Sequence, residues 1–402
     1  MTPTQPHIHF LPLLEDSFKM ASDQVIRARE SNWYAETEFG IAVLSYEDNA
    51  ALMKHPNLTQ GSAKWPEKNG VTEGPYYDWW MSNLLVLEGT DHDRIRRLVN
   101  PAFSRRKIDP FVEHFTRLAH ELVDAFVDEG RCDFVQEFAA PYSTRVLCMI
   151  LGIPESDWTL LHGLAATIGL GIGVHIRTDL SRIDKATVEL DTFADNLIVT
   201  RRRNPGSDVV STLIRSQSDG QSLTDRELRS LIILLIFAGI DTTRNQLALG
   251  VDLLAKDPVA WERIASDPER YQDRAAEECL RINPVARWVT REVARPFEHK
   301  GHLLEQGTTV HMFTLTSGTD PTEFPSGETV DLEARQSSHF AFGGGIHHCL
   351  GHFVARTDIS IALGVLASRL TGLKVGDDAK WLHDTGNTGA ITLPLTFSPR
   401  QK

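Results

Sequence analysis

The chain has 402 residues, 41% hydrophobic and 24% charged, with 28 Gly and 19 Pro and no repeat or low-complexity tract, so a large globular core is feasible. A formal net charge of -13 argues against general nucleic-acid affinity, because phosphate backbones attract a basic face. Residues 1–15 offer neither a long apolar run nor a basic-then-apolar leader, so the expectation is a soluble, cytoplasmic protein without a membrane anchor.

Residues 32–46 (NWYAETEFGIAVLSY) carry aromatic and β-branched residues around a Glu38-Phe39-Gly40 turn, which predicts a β-hairpin. From Arg94 to about Val199 the pattern is mostly helical. Phe111, Phe115, Leu118, Leu122 and Phe126 recur at helical spacing, and Gly130 ends that run. Thr224, with Glu227 three residues on, reads as a capping box opening a helix that lasts until Pro258, roughly 45 Å at 1.5 Å per residue. Its middle, residues 231–240, is apolar on all sides but too short to span a bilayer, so it is expected at the centre of the protein. A further helix is expected over residues 268–281, with strands at Trp288–Val293, residues 308–313 and residues 391–397.

Four cysteines, Cys132, Cys148, Cys279 and Cys349, are far apart and form neither a CxxC pair nor a disulfide framework. Cys349 differs in its surroundings, FAFGGGIHHCLGHFVAR. Gly343 to Gly345 are three consecutive glycines, which serve a backbone that takes positive φ or passes close to something bulky, a flat cofactor for example. The cysteine stands where the loop gives way to a helical pattern, and unpaired N–H groups at a helix start favour a thiolate. A buried, inert cysteine beside a flexible turn is the bland alternative.

Phe342-Gly343-x-Gly345-x-His347-x-Cys349-x-Gly351 resembles the haem-binding loop of the cytochrome P450 family at every position. The resemblance implies a mainly α fold in a single domain over residues 1–402: a large helical part with a long central helix, and a small β-rich part at about 30–60, 288–316 and 388–398. It implies haem b (iron protoporphyrin IX) as cofactor. Cys349 would be the axial ligand to the iron, with Phe342 packed beside the sulfur, His347 at a propionate, and Gly343 and Gly351 shaping the loop.

Ala238-Gly239-Ile240-Asp241-Thr242-Thr243 resembles the family's oxygen-activation motif on its central helix. Gly239 would leave room for O2, and Thr242 could bond its own helix's carbonyl and open a groove. Delivery of the protons that oxygen activation consumes needs a hydroxyl and an acid to recharge it, here Thr242 and Asp241. The alternative is an ordinary helix whose Asp241 and Thr242 meet polar neighbours. Glu278-Cys279-Leu280-Arg281 resembles the family's ExxR, a structural pair, with Cys279 as a small core residue. His92 and Arg96 share one helical face and resemble propionate contacts, as does Arg291; surface residues would be the plain reading of each. The chain departs from the family in carrying Thr319 where an Arg precedes the Asp320-Pro321 of its meander, and in lacking one residue between Arg281 and Pro284.

The implied activity is insertion of one atom of O2 into a mid-sized, largely apolar substrate: a natural product, terpenoid or steroid, polyketide or fatty acid. No room remains for a Gly-rich dinucleotide fold, so electrons would come from a ferredoxin or flavodoxin with an NAD(P)H reductase, docked at Arg97, Arg105, Arg106 and Lys107. Pocket candidates are Tyr77, Trp80, Ile240 and Trp288, with the aromatic run Tyr76 to Trp80 forming a wall or packing its own loop, the Gly-rich segment 167–175, and Arg287 placed to meet a substrate carboxylate. A peroxide-driven peroxygenase and a haem sensor without oxygenase activity are the competing readings; Asp241 and Thr242 disfavour both.

Overall fold

A computed structural model describes residues 8–173, 175–217, 223–334 and 338–401. The long helix expected from the sequence spans Asp225–Ala255 and starts with the expected capping box: Glu227 N–H donates to Thr224 Oγ1 (3.2 Å), and Thr224 N–H donates to Glu227 Oε2 (2.8 Å). Arg94 also holds the Glu227 carboxylate, tying this helix start to the helix Gly89–Val99. Leu231 through Phe237 are all buried. By length and composition the helix could cross a membrane, but 78% of its most apolar window lies inside the protein. It packs against the helices Ala140–Leu151, Trp158–Gly169, Ile176–Arg203, Pro268–Ile282 and His352–Arg369, which together enclose the main core.

The β part lies to one side. Its main sheet has six strands, in the order Phe10–Leu11, Tyr34–Thr37, Gly40–Val43, Thr309–Phe313, Trp288–Val293 and Leu58–Gln60. The expected hairpin is present, with Tyr34 opposite Val43, and its second strand runs parallel to Thr309–Phe313. Trp288–Val293 pairs antiparallel on both sides, placing Arg291 opposite Val310 and Gln60. A second sheet joins Leu370–Val375, Pro394–Pro399 and Arg131–Asp133. Four strands, Phe10–Leu11, Arg131–Asp133, Leu370–Val375 and Lys380–Trp381, fall outside the expected β segments. Conversely Tyr46–Leu52, inside one of them, and Thr314–Gly318, at the end of another, are helical. Of the 1–15 segment, residues 1–7 lie outside the described residues.

Candidate active site

A cavity of about 400 Å³ opens between the central helix, the Cys349 loop and the strand Trp288–Val293. Its floor follows from the glycines. Gly343 (φ 65°) and Gly345 (φ 70°) hold left-handed conformations that disfavour a side chain, and a Cβ on Gly344 would stand 2.6 Å from Met53 Cγ. Met53, rather than a cofactor, is thus the bulky neighbour of the middle glycine. The turn closes with Cys349 N–H donating to Phe342 O (3.0 Å), and the following helix begins at His352. The N–H groups of Gly351 and His352 donate to the Cys349 sulfur, which Arg96 and Arg356 also face. Burial pushes the thiol pKa up, and those donors and cations oppose it. The sulfur's remaining exposure is to the cavity it lines. Phe342 lines the same floor, with the Arg356 guanidinium 4.4 Å from its ring centre.

Arg96, Arg291, His92 and His347 gather at one edge. Burial lowers the Arg96 pKa and brings Arg291 down to about 10. Among the described residues neither guanidinium has a carboxylate within 4.0 Å; Arg96 donates to His348 O, and Arg291 to Gly344 O (3.2 Å) and Thr290 O (3.0 Å). The His92 ring, 1% exposed, lies 4.4 Å from the His347 ring, and its Nε2 is buried without a partner among the described residues. A buried and a half-buried guanidinium, an orphaned imidazole nitrogen and a sulfur at a glycine cradle fit a group with two carboxylates and a thiolate-seeking metal, which is haem. Sequence reasoning did not single out Glu88, 3.3 Å from His347 Nε2, whose carboxylate helps fix that ring.

Across the cavity the central helix presents Ala238, Gly239 and Thr242. Thr242 Oγ–H donates to Ala238 O (2.5 Å). A Cβ on Gly239 would come within 2.8 Å of Leu147 Cδ1, so this glycine makes room for a neighbouring helix as well as for the cavity. Asp241 sits beside the wall, not in it. Its Oδ1 accepts from Arg244 (2.7 Å) and its Oδ2 from Asn245 (3.3 Å), and burial raises its pKa against the opposing Arg244 charge.

The remaining expectations divide. Trp80 and Trp288 line the cavity. Ile240 does not: it is 1% exposed, on the helix face turned into the core. Tyr77 is also outside, its hydroxyl donating to Glu67 (2.8 Å), while Tyr76 and Trp79 are buried against neighbouring elements, donating to Gly171 O (2.9 Å) and Ser230 O (3.3 Å). Arg287 is corrected likewise. Its guanidinium turns out of the wall to Asp384 (2.7 Å) and Asn283 (2.8 Å), so the carboxylate role fails for want of a free charge. Of the Gly-rich segment, Ile172 lines the cavity and Val174 lies outside the described residues. Trp65 and Asp358, neither singled out in the sequence, both line it.

Glu278 and Arg281 stay apart from this cavity. Both are 3% exposed and joined by two 2.8 Å hydrogen bonds, and Arg281 also donates to the carbonyls of Gly318 (2.7 Å), Gly327 (2.6 Å) and Thr329 (3.2 Å). Thr319, at the departure from the family pattern, is met by Arg29, which donates to Thr316 O (2.8 Å) and approaches Thr319 Oγ1 (3.5 Å).

A helical body around one buried helix, with a cysteine loop facing it across a cavity, is the architecture of a haem-thiolate oxygenase. The cytochrome P450 family model matches residues 175–397. Luteothin monooxygenase of Streptomyces thioluteus is 33% identical to this chain, covering 98% of it and 97% of that protein. The polyketide biosynthesis cytochrome P450 PksS of Bacillus subtilis (strain 168) is 29% identical over 89% of this chain and 88% of its own. Among solved structures, P450BioI in complex with hexadec-9Z-enoic acid ligated acyl carrier protein superposes with a TM-score of 0.85 at 26% identity, covering 93% of this chain and 97% of that one. The chain belongs to the cytochrome P450 family. It is accordingly a haem-dependent monooxygenase.

Proposed function

We propose that the enzyme oxidises a mid-sized, largely apolar natural product of polyketide, terpenoid or lipid type, as a single catalytic domain in the cytoplasm, with electrons from a ferredoxin or flavodoxin and its NAD(P)H reductase. The observation that carries this reading is the cavity wall opposite Cys349, where Trp80, Phe237, Leu234, Leu235 and Trp288 surround the space above the glycine loop. The names of the relatives agree with it, since they include a luteothin monooxygenase and a polyketide P450.

The haem, when bound, supplies reductive activation of O2 and insertion of one oxygen atom. The chain's own residues do the rest. Cys349 would hold the iron, with its charge supported by the Gly351 and His352 N–H groups. Arg96, Arg291, His92 and His347 would anchor the propionates. Thr242 lines the cavity and passes protons at its hydroxyl, which is held by its bond to Ala238 O. Asp241 recharges it, having access to a proton because burial raises its pKa. The helix end bearing Arg105, Arg106 and Lys107, with the exposed Ile346 of the cysteine loop, offers a basic docking face for an acidic electron donor.

The test is reconstitution with a bacterial ferredoxin, its reductase, NAD(P)H and 18O2. One labelled oxygen per product is expected, with turnover that falls as salt rises and falls further when Arg97, Arg105, Arg106 and Lys107 are neutralised. Turnover supported better by hydrogen peroxide, or indifferent to salt and to those substitutions, contradicts the reading.

A further inference from the structure

We propose that the cavity selects an uncharged substrate with a carbonyl, ester or ether oxygen, and rejects carboxylates. The proposal rests on the apolar-substrate reading above and narrows it.

The basic side chains near the cavity are the first ground. Among the described residues, those lining it are Arg96, Arg291, His92 and His347, gathered at the edge that fits the haem propionates. Once those two carboxylates are held, no positive charge is left over for a third.

Arg287 is the second. Its neighbours Ala286 and Trp288 line the wall, so its backbone stands where a substrate-binding cation would be useful. The guanidinium is instead buried behind the wall, 2.7 Å from Asp384 Oδ1, 2.8 Å from Asn283 Oδ1 and 3.0 Å from Pro284 O. Asp384 is fixed in turn by Met20 N–H (2.8 Å). The pair neutralises itself, and the charge is directed at Asp384 rather than at the cavity.

Polar groups in the wall are the third; Ser62, Thr243 and Asp358 also line it, and none of them carries a positive charge. Gln246 is spent on backbone, accepting from Val285 N–H (2.8 Å) and donating to Asn283 O (3.0 Å). Thr242 donates to its own helix. Asn387, held in the wall by the bridge between Ala286 and Asn387, makes no side-chain hydrogen bond to the described residues. A neutral amide can satisfy one carbonyl, ester or ether oxygen, but it cannot compensate a desolvated carboxylate.

The measurement is ligand binding to the ferric holoenzyme at pH 7.5, read by the haem spin shift and independently by equilibrium dialysis. The probes are methyl 6-(2-naphthyl)hexanoate, the corresponding acid, and 2-hexylnaphthalene. The ester should bind at least about tenfold more tightly than the acid. The acid should gain affinity as the pH falls toward 5 and its neutral form grows. Asn387→Leu should weaken the ester several-fold and leave the hydrocarbon unchanged. An acid that binds as tightly as the ester, an acid affinity independent of pH, an Asn387→Leu protein that binds the ester as before, or no binding of either oxygenated probe would each overturn the proposal. Product formation with the hydrocarbon tests the broader reading separately, so the two can fail independently.

Discussion

Arg244 Nη2 lies 2.7 Å from Asp241 Oδ1, one turn apart on the central helix, with both side chains almost wholly buried. Burial raises the Asp241 pKa and the Arg244 charge restrains that rise. The acidity of Asp241 is therefore governed by a cation on its own helix, and under the proposed function that acid supplies the proton.

Asp241→Asn keeps the shape and removes the acid. Product formed per electron consumed should fall by about 10²-fold, the usual worth of a positioned proton donor, with a larger solvent isotope effect. Arg244→Gln should raise the Asp241 pKa further, so the alkaline limb of the rate profile should move to higher pH. A limb that stays in place or moves down contradicts this assignment.

Asp358 lines the cavity with one carboxylate oxygen unpartnered among the described residues, and burial raises its pKa well above the ordinary carboxylate value. The folded protein then keeps a proton that the unfolded chain releases above about pH 4. A group whose folded pKa is raised stabilises below the unfolded value and loses that contribution as pH rises toward the folded one. Asp358→Asn does not titrate, so its stability relative to the parent should be greater at pH 8 than at pH 5.5. Urea midpoints at the two pH values read the difference, and an equal difference at both would show that the carboxyl is already charged.

Removing one member of the buried Glu278–Arg281 pair leaves an uncompensated charge, an effect of about 3–5 kcal/mol. Glu278→Gln should lower the urea midpoint accordingly and reduce haem-loaded yield. Arg281→Lys should do nearly as much, because an ammonium cannot reach two carboxylate oxygens and three carbonyls at once.

At Gly239 a methyl group meets Leu147 Cδ1 at 2.8 Å, and Leu147 lines the cavity. Gly239→Ala should shift Leu147, lower stability by about 1–3 kcal/mol and weaken large ligands more than small ones. Equal loss for ligands of every size would place the strain elsewhere.

Features encoded locally were legible in the sequence. The capping box at Thr224, the helix through residues 231–240, the hairpin around Gly40 and the glycine run before Cys349 each depend on residues a few positions apart. Features set by distant partners were not. Arg287 is aimed by Asp384, 97 residues later, and nothing near Arg287 reveals that choice. Tyr77 and Trp80 share the short helix Pro75–Trp80, and its docking alone decides which ring meets the cavity. The strand Arg131–Asp133 is too short for a periodic signal and exists because Pro394–Pro399 pairs with it. Trp65 and Asp358 line the cavity from positions that no motif marks, and Glu88 meets His347 from four residues before His92.

The site is built on Cys349 as the iron ligand, and the absorption spectrum of the reduced protein with CO tests that assignment most directly. The parent should show the strongly red-shifted band of thiolate-ligated haem, and Cys349→His should replace it with the shorter-wavelength band of nitrogen ligation while haem stays bound. A folded parent with the histidine-type band, or a Cys349→His protein that keeps the red-shifted one, would contradict the ligand assignment and the site built upon it.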